Sequence, residues 1–211
     1  MFKLYARPGA GSAAVEALLA LLGAAYEIVD VEKAEDGYAP SWFLKINGRG
    51  EVPALQLGDD SIMTESAAMM IYLADLFPEK AMAPAVGTAA RAQYLRWMIY
   101  MAASPYTADL RMYYSERFSV DRGHATAIKQ KAIIDLNRDF DVFAAQLGDG
   151  PFILGSHLSA VDIYAAMLLS WSEDAPALFV RQPKLKRLYE AVADVPAVAT
   201  VWARNEIPLR F

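Results

Sequence analysis

Two residue pairs, Val52-Pro53 and Glu65-Ser66, combine types and spacing that point to chemistry. Proline has no N–H for a sheet ladder, so a strand beginning at Pro53 lies at an edge or uses a cis bond. Either way the N–H and C=O of Val52 are left for an extended peptide. Glu65-Ser66 opens an apolar helical run, and a helix N-terminus offers N–H donors and a positive dipole end to a carboxylate. An edge for a peptide therefore sits beside a pocket for its carboxylate. A third candidate is Ser12, a plausible N-cap set after the turn Arg7-Pro8-Gly9-Ala10-Gly11, where a hydroxyl and nearby N–H groups can stabilise an anion. The chain has no cysteine, so any thiol that reacts here arrives with the substrate.

The elements that must hold these residues are legible from periodicity. Phe2 to Tyr5 reads as a strand, and Val15, Leu18, Leu19 and Leu22 recur at helical spacing up to a stop at Gly23. Tyr26 to Val31 alternates as a second strand and completes a βαβ unit with parallel pairing. Lys33 to Ala39 is loop-like, and a short helix runs from Ser41 to Ile46. The hairpin from Gly50 to Thr64 and a helix from Ser66 to about Phe77 give the order βαβαββα. Pro78 to Gly87, with two prolines and a glycine, reads as a linker, so residues 1–79 form one domain, 80–87 the connection and 88–211 the next. Everything after it patterns as helix: Thr88 to about Tyr114 with a kink at Pro105, His124 to Leu147, Ser159 to Trp171, Lys184 to Asp194, and a last helix after Pro196. Ser159-Ala160-Val161-Asp162 has the form of a capping box, which makes Asp162 a structural acid.

Composition narrows the function classes. A net charge of −5 with scattered basic residues argues against a nucleic-acid surface. The start Met1-Phe2-Lys3-Leu4-Tyr5 has no basic leader pattern, and the apolar stretch Ala13 to Ala25 carries Glu16 and is too short to span a bilayer. A soluble cytoplasmic protein without a membrane partner is expected. His124 and His157 read as structural, and no metal-ligand spacing is present.

The segment Asn47-Gly48-Arg49-Gly50-Glu51-Val52-Pro53-Ala54-Leu55, the pair Glu65-Ser66 and Ser159-Ala160-Val161-Asp162 resemble the glutathione transferase superfamily, most nearly its bacterial beta-like members. The resemblance runs along essentially the whole chain. It implies an α/β thioredoxin-like N-terminal domain followed by an all-α helical bundle, a homodimer, and glutathione as co-substrate. It also assigns Val52 and Pro53 to the cysteinyl backbone of glutathione and Glu65 and Ser66 to its γ-glutamyl end. Arg49, Glu51 and Lys33 flank the loop expected to pass its glycyl end.

Under this resemblance the glutathione thiol must ionise near neutral pH, and lowering its pKa by about two units takes roughly 2.7 kcal/mol. A helix N-terminus supplies about 0.3–1 kcal/mol and a hydrogen bond to a charged group about 1.5–3 kcal/mol, so the two suffice. Ser12 is the candidate donor, with Tyr5 at the end of the first strand as its rival. Where beta-like members often carry a cysteine, this chain has Gly11, which removes the mixed-disulfide route. Tyr106, Arg111 and Tyr113 are candidates for the wall of a hydrophobic electrophile pocket, with ordinary core packing and a surface salt bridge as the competing roles. The expected activity is conjugation of the glutathione thiolate to a small electrophile. The competing reading is a non-catalytic ligand-binding or protein-interaction module of the same fold.

Overall fold

A computed structural model describes residues 1–35 and 37–211. The described residues divide into two compact units, Met1–Ala83 with Ala193–Arg210, and Pro84–Val192 with Phe211.

The first unit opens with β1 (Phe2–Ala6), α1 (Ser12–Leu22) and β2 (Tyr26–Asp30). The apolar face of α1 has no polar interruption except Glu16, and the helix is buried along most of its length. It ends as its sequence dictates: Gly23 takes a left-handed conformation, with Gly23 N–H on Ala20 C=O and Ala24 N–H on Leu19 C=O. A short α2 (Ser41–Leu44), the hairpin β3 (Ala54–Gln56) and β4 (Ile62–Met63), and α3 (Ser66–Leu76) follow. The strands form a mixed sheet in the order β2-β1-β3-β4, with β1 parallel to β2 and antiparallel to β3. This is the thioredoxin-like arrangement. The core between sheet and helices is made by Leu4, Ala6, Val15, Leu18, Leu55 and Met69, all fully buried.

The unit is completed by a helix from the far end of the chain. α10 (Pro196–Arg204) packs on α1, where sequence periodicity grouped it with the helical half.

In the second unit the expected long helix is two: α4 (Ala89–Ala103) and α5 (Pro105–Tyr113), jointed at Ser104. Pro105 supplies no N–H to continue the ladder, so the break falls where the proline is. α6 (Ala125–Gln146), α7 (Ala160–Ser170), α8 (Ala175–Arg181) and α9 (Pro183–Ala193) follow, the last ending at the boundary between units. Asp162 is fully buried and accepts from the N–H and hydroxyl of Ser159 at 2.7 and 2.6 Å and from the N–H of Ile153 at 2.7 Å. The capping box therefore ties the loop before α7 to the start of that helix. Met69, Met70, Met98 and Met101 are core residues of their own units, whereas Tyr72 is exposed.

Candidate functional site

The hairpin brings the two residue pairs together. β3 faces β4 with Leu55 opposite Met63 and Gln56 opposite Ile62. Continuing that register by two residues sets Pro53 opposite Glu65, just where the ladder has ended. The Val52–Pro53 bond is cis, and β3 lies inside the sheet between β1 and β4, so an edge position is not what accommodates the proline. Val52 precedes the first paired residue of the strand.

The loop leading to Val52 is held by Asn47, the first residue of the Asn47–Leu55 segment, to which the sequence assigned no role of its own. Asn47 is buried, donates from Nδ2 to the Glu51 C=O at 2.7 Å, and accepts at Oδ1 from the Arg49 N–H at 3.1 Å. Gly50 has φ +66°, and a Cβ there would lie 2.8 Å from the Ala39 Cβ, so glycine is required. Arg49 and Glu51 form an exposed fork, Nε to Oε2 at 2.9 Å and Nη2 to Oε1 at 3.2 Å. The hydrogen bond and charge of Glu51 hold the Arg49 guanidinium pKa up. Lys33 is exposed in the loop after β2, apart from this fork in the chain.

Glu65 is the N-cap residue of α3 and stands at φ 67°, ψ 98°, with no capping bond from its side chain. Its carboxylate is exposed, and Ser66, the first residue of the helix, is half-buried. A non-glycine residue in the left-handed half of the map costs about 1–3 kcal/mol and clusters at functional sites.

Ser12 does not take the N-cap place expected of it. Gly11 is the N-cap of α1, and Ser12 is the first helical residue, fully buried. Its hydroxyl accepts from the Arg7 N–H at 3.2 Å and donates to the Arg7 C=O at 3.1 Å. It thus closes the β1–α1 turn on itself, while Arg7 Nε donates to the Val31 C=O at 2.8 Å and ties the turn to the end of β2. Tyr5 is also engaged: its ring packs against Phe43 and Trp42, at 5.9 and 6.4 Å, and its hydroxyl donates to Gln56 Oε1 at 3.3 Å. Both candidate donors already spend their protons on protein acceptors.

Deeper in α1, Glu16 is 3 % exposed and meets Arg204 Nη1 and Asn205 Nδ2, each at 3.0 Å. Arg204 reaches Asp30 Oδ1 with its other terminal nitrogen at 2.6 Å. Burial and the Glu16 carboxylate push the nearby Tyr26 hydroxyl pKa up. The signal for this network was an acidic residue inside an otherwise apolar helical run; its partners lie too far along the chain to be inferred.

Within the second unit, two of the three expected pocket residues share a neighbour. The Tyr106 ring stands edge-on to Trp171 at 5.5 Å and stacks on Tyr164 at 6.3 Å, and the Tyr113 hydroxyl donates to the Trp171 C=O at 2.8 Å. Arg111 lies on the same helix as both tyrosines. Its charge acts on Asp135 of α6, whose carboxyl is held below its usual pKa first by the Lys131 hydrogen bond. Asp109, on the same helix, is 1 % exposed and has no hydrogen-bond partner at either oxygen, and burial drives its pKa well above the usual range.

Among the described residues no group of three His, Asp or Glu side chains is placed to hold a metal ion, and no helix is long and apolar enough to cross a membrane.

Comparison with known proteins gives two family matches. "Glutathione S-transferase, N-terminal domain" covers residues 12–76, and "Glutathione S-transferase, C-terminal domain" covers residues 100–194. The uncharacterized GST-like protein YncG of Escherichia coli (strain K12) is 31% identical over 209 residues, 98% of this chain and 100% of its own. Among solved structures, a glutathione transferase homologue from Sulfitobacter with bound glutathione superposes with a TM-score of 0.90 at 25% identity, covering 99% of both chains. The beta class glutathione S-transferase of Sphingomonas chungbukensis superposes with a TM-score of 0.81 at 28% identity, covering 98% of this chain and 100% of its own.

Proposed function

The chain belongs to the glutathione S-transferase family, and from that premise we propose that it binds glutathione across the Val52–Pro53 and Glu65–Ser66 pairs and adds its thiolate to a small hydrophobic electrophile. The observation that carries this reading is the hairpin register. It sets Pro53, next to the unladdered backbone of Val52, opposite an exposed acid, Glu65, held in a conformation the fold alone does not favour. The main chain of Val52 pairs with the cysteinyl unit, and Glu65 and Ser66 take the γ-glutamyl amine and carboxylate. Arg49, already forked to Glu51, and Lys33 offer cations to the glycyl end.

Thiolate stabilisation falls to the first turn of α1 more than to a single hydroxyl. For Ser12 to donate to sulfur it must give up the Arg7 carbonyl, and for Tyr5 to do so it must give up Gln56. The positive end of α1 requires no such exchange, although the Ala13 N–H of its first turn is already bonded to the Ala10 C=O at 3.0 Å. Tyr106, Trp171 and Tyr113 are the aromatic group we assign to the electrophile. The protein's contribution is orientation and charge stabilisation, with the sulfur supplied by the substrate. Homodimer assembly and a cytoplasmic site of action, both typical of the family, are part of the same proposal.

The engagement of both hydroxyls favours one second reading: a glutathione-binding protein that does not transfer. Titration with glutathione, then an assay of thiol addition to an aromatic halide, separates the two. We expect binding at millimolar glutathione or below, and turnover that stays within about fivefold of wild type in Ser12→Ala, because a hydroxyl already bonded within the protein contributes little to the transition state. Binding without turnover selects the second reading. Failure to bind overturns both, and a loss of a hundredfold or more in a stably folded Ser12→Ala returns the serine to the catalytic role.

A further inference from the structure

α1 contains a single charged residue, Glu16, and it is buried. It lies four residues beyond Ser12, about 6 Å along the helix axis from the end that the function above assigns to the thiolate. A carboxylate there opposes any anion bound at the helix start. The structure answers it from α10: Arg204 and Asn205 both bond Glu16 Oε2 at 3.0 Å, and Arg204 is itself shared with Asp30 at the end of β2. The same α10 terminus reaches the turn that precedes α1, for the Asn205 C=O lies 3.9 Å from the position of a Cβ on Gly9.

We propose that Arg204 and Asn205 are positioning residues for the thiolate: through Glu16 they neutralise the charge inside α1 and fix the helix start against the Gly9 turn. The inference rests on the glutathione reading above. The charged and titratable groups around Glu16 are Arg204 from α10, and Asp30 and Tyr26 from β2. Arg7 stands at the turn itself, bonded to the Val31 C=O and to Ser12. Asp30, Glu16 and Arg204 together carry one net negative charge, so the cluster is tunable in both directions by single substitutions. A merely structural latch would show no such sign.

The test is the pKa of the thiol of bound glutathione, followed by the ultraviolet absorbance of the thiolate as pH is varied. Glu16→Gln leaves Arg204 paired with Asp30 and removes one negative charge, so the thiol pKa falls. Arg204→Gln removes the counter-charge, so it rises. Each change is about half a unit to one and a half units, from one unit charge at this range between a protein-like and an aqueous dielectric. The double variant has the wild-type net charge at this point and returns toward the wild-type value. If Arg204→Gln does not fold, Glu16→Gln alone decides, since glutamine keeps the shape and one acceptor for Asn205. Thiol pKa values that agree across the variants while melting temperatures differ overturn the inference and leave glutathione binding standing. A wild-type protein that binds no glutathione overturns both.

Discussion

Under the proposed function, Glu65 is the residue at which stability and binding pull apart. Its backbone, at φ 67°, costs about 1–3 kcal/mol for any residue with a Cβ, and its side chain makes no capping bond that would repay the helix. Under that reading, glutamate at this place serves the ligand and not the fold. Glu65→Gly should raise the unfolding free energy by about 0.5–1 kcal/mol, because glycine takes this conformation freely. The same change should weaken glutathione binding by roughly 10- to 100-fold through loss of a charged hydrogen bond. Urea denaturation and calorimetric titration of one variant check both halves, and binding as tight as wild type would remove Glu65 from the site. Glu65-Ser66 was legible because a helix start preceded by an acid is a local pattern. The bonds that the Ser12 hydroxyl makes to Arg7 were not. Its position, type and likeness all pointed to a donor, yet the direction of its hydroxyl depends on how the turn from Arg7 to Gly11 folds back, and that curvature has no signature in residue type.

At the scale of elements, what holds the site is a set of short-range locks between loop and helix. Asn47 closes the loop before the cis bond, Ser12 closes the turn before α1, and Asp162 closes the loop before α7. The last is the most heavily bonded, since it satisfies three donors around one buried carboxylate. Asp162→Ala should orphan all of them and cost about 3 kcal/mol or more in unfolding free energy, while the activity of the folded fraction stays at wild type. Turnover corrected for folded protein is the measurement, and a selective loss of activity at unchanged melting temperature would contradict the structural role. The capping box could be read from four consecutive residues, and the break at Ser104 from the proline that follows it. α8 escaped notice because it has only seven residues, too few for a periodic stripe, and is set by the Asp174 cap and Pro176 alone. The place of α10 was out of reach for a different reason: its bonds to Glu16 join residues 188 and 189 positions apart, and periodicity carries no long-range pairing.

For the molecule as a whole, two buried carboxyls set how stability responds to pH. Asp162 is pushed up to about 6 by burial, against the pull of the Ile153 and Ser159 donors, and Asp109, buried with no partner, is pushed well above the ordinary carboxyl range by the same cause. In both cases the folded state holds its proton more tightly than the unfolded chain. Their stabilising contribution is therefore complete below the unfolded carboxyl range, near pH 4, and is lost as pH rises through the folded values. For Asp162 the loss amounts to about 3 kcal/mol across its shift of roughly two units. Acids held low by a partner, such as the half-buried Asp135 beside Lys131, work in the opposite direction but only below about pH 4. The protein should accordingly be more stable near pH 5 than near pH 8, with Asp162 and Asp109 both contributing to the slope. Asp109→Asn offers neutral shape in place of an acid that must either keep its proton or ionise unpaired. That variant should gain stability relative to wild type as pH rises above the ordinary carboxyl range, so the difference between their urea midpoints widens with pH. Parallel midpoint curves for the two proteins would mean that Asp109 ionises in the folded state with a solvated or paired carboxylate, and would place the pH dependence elsewhere.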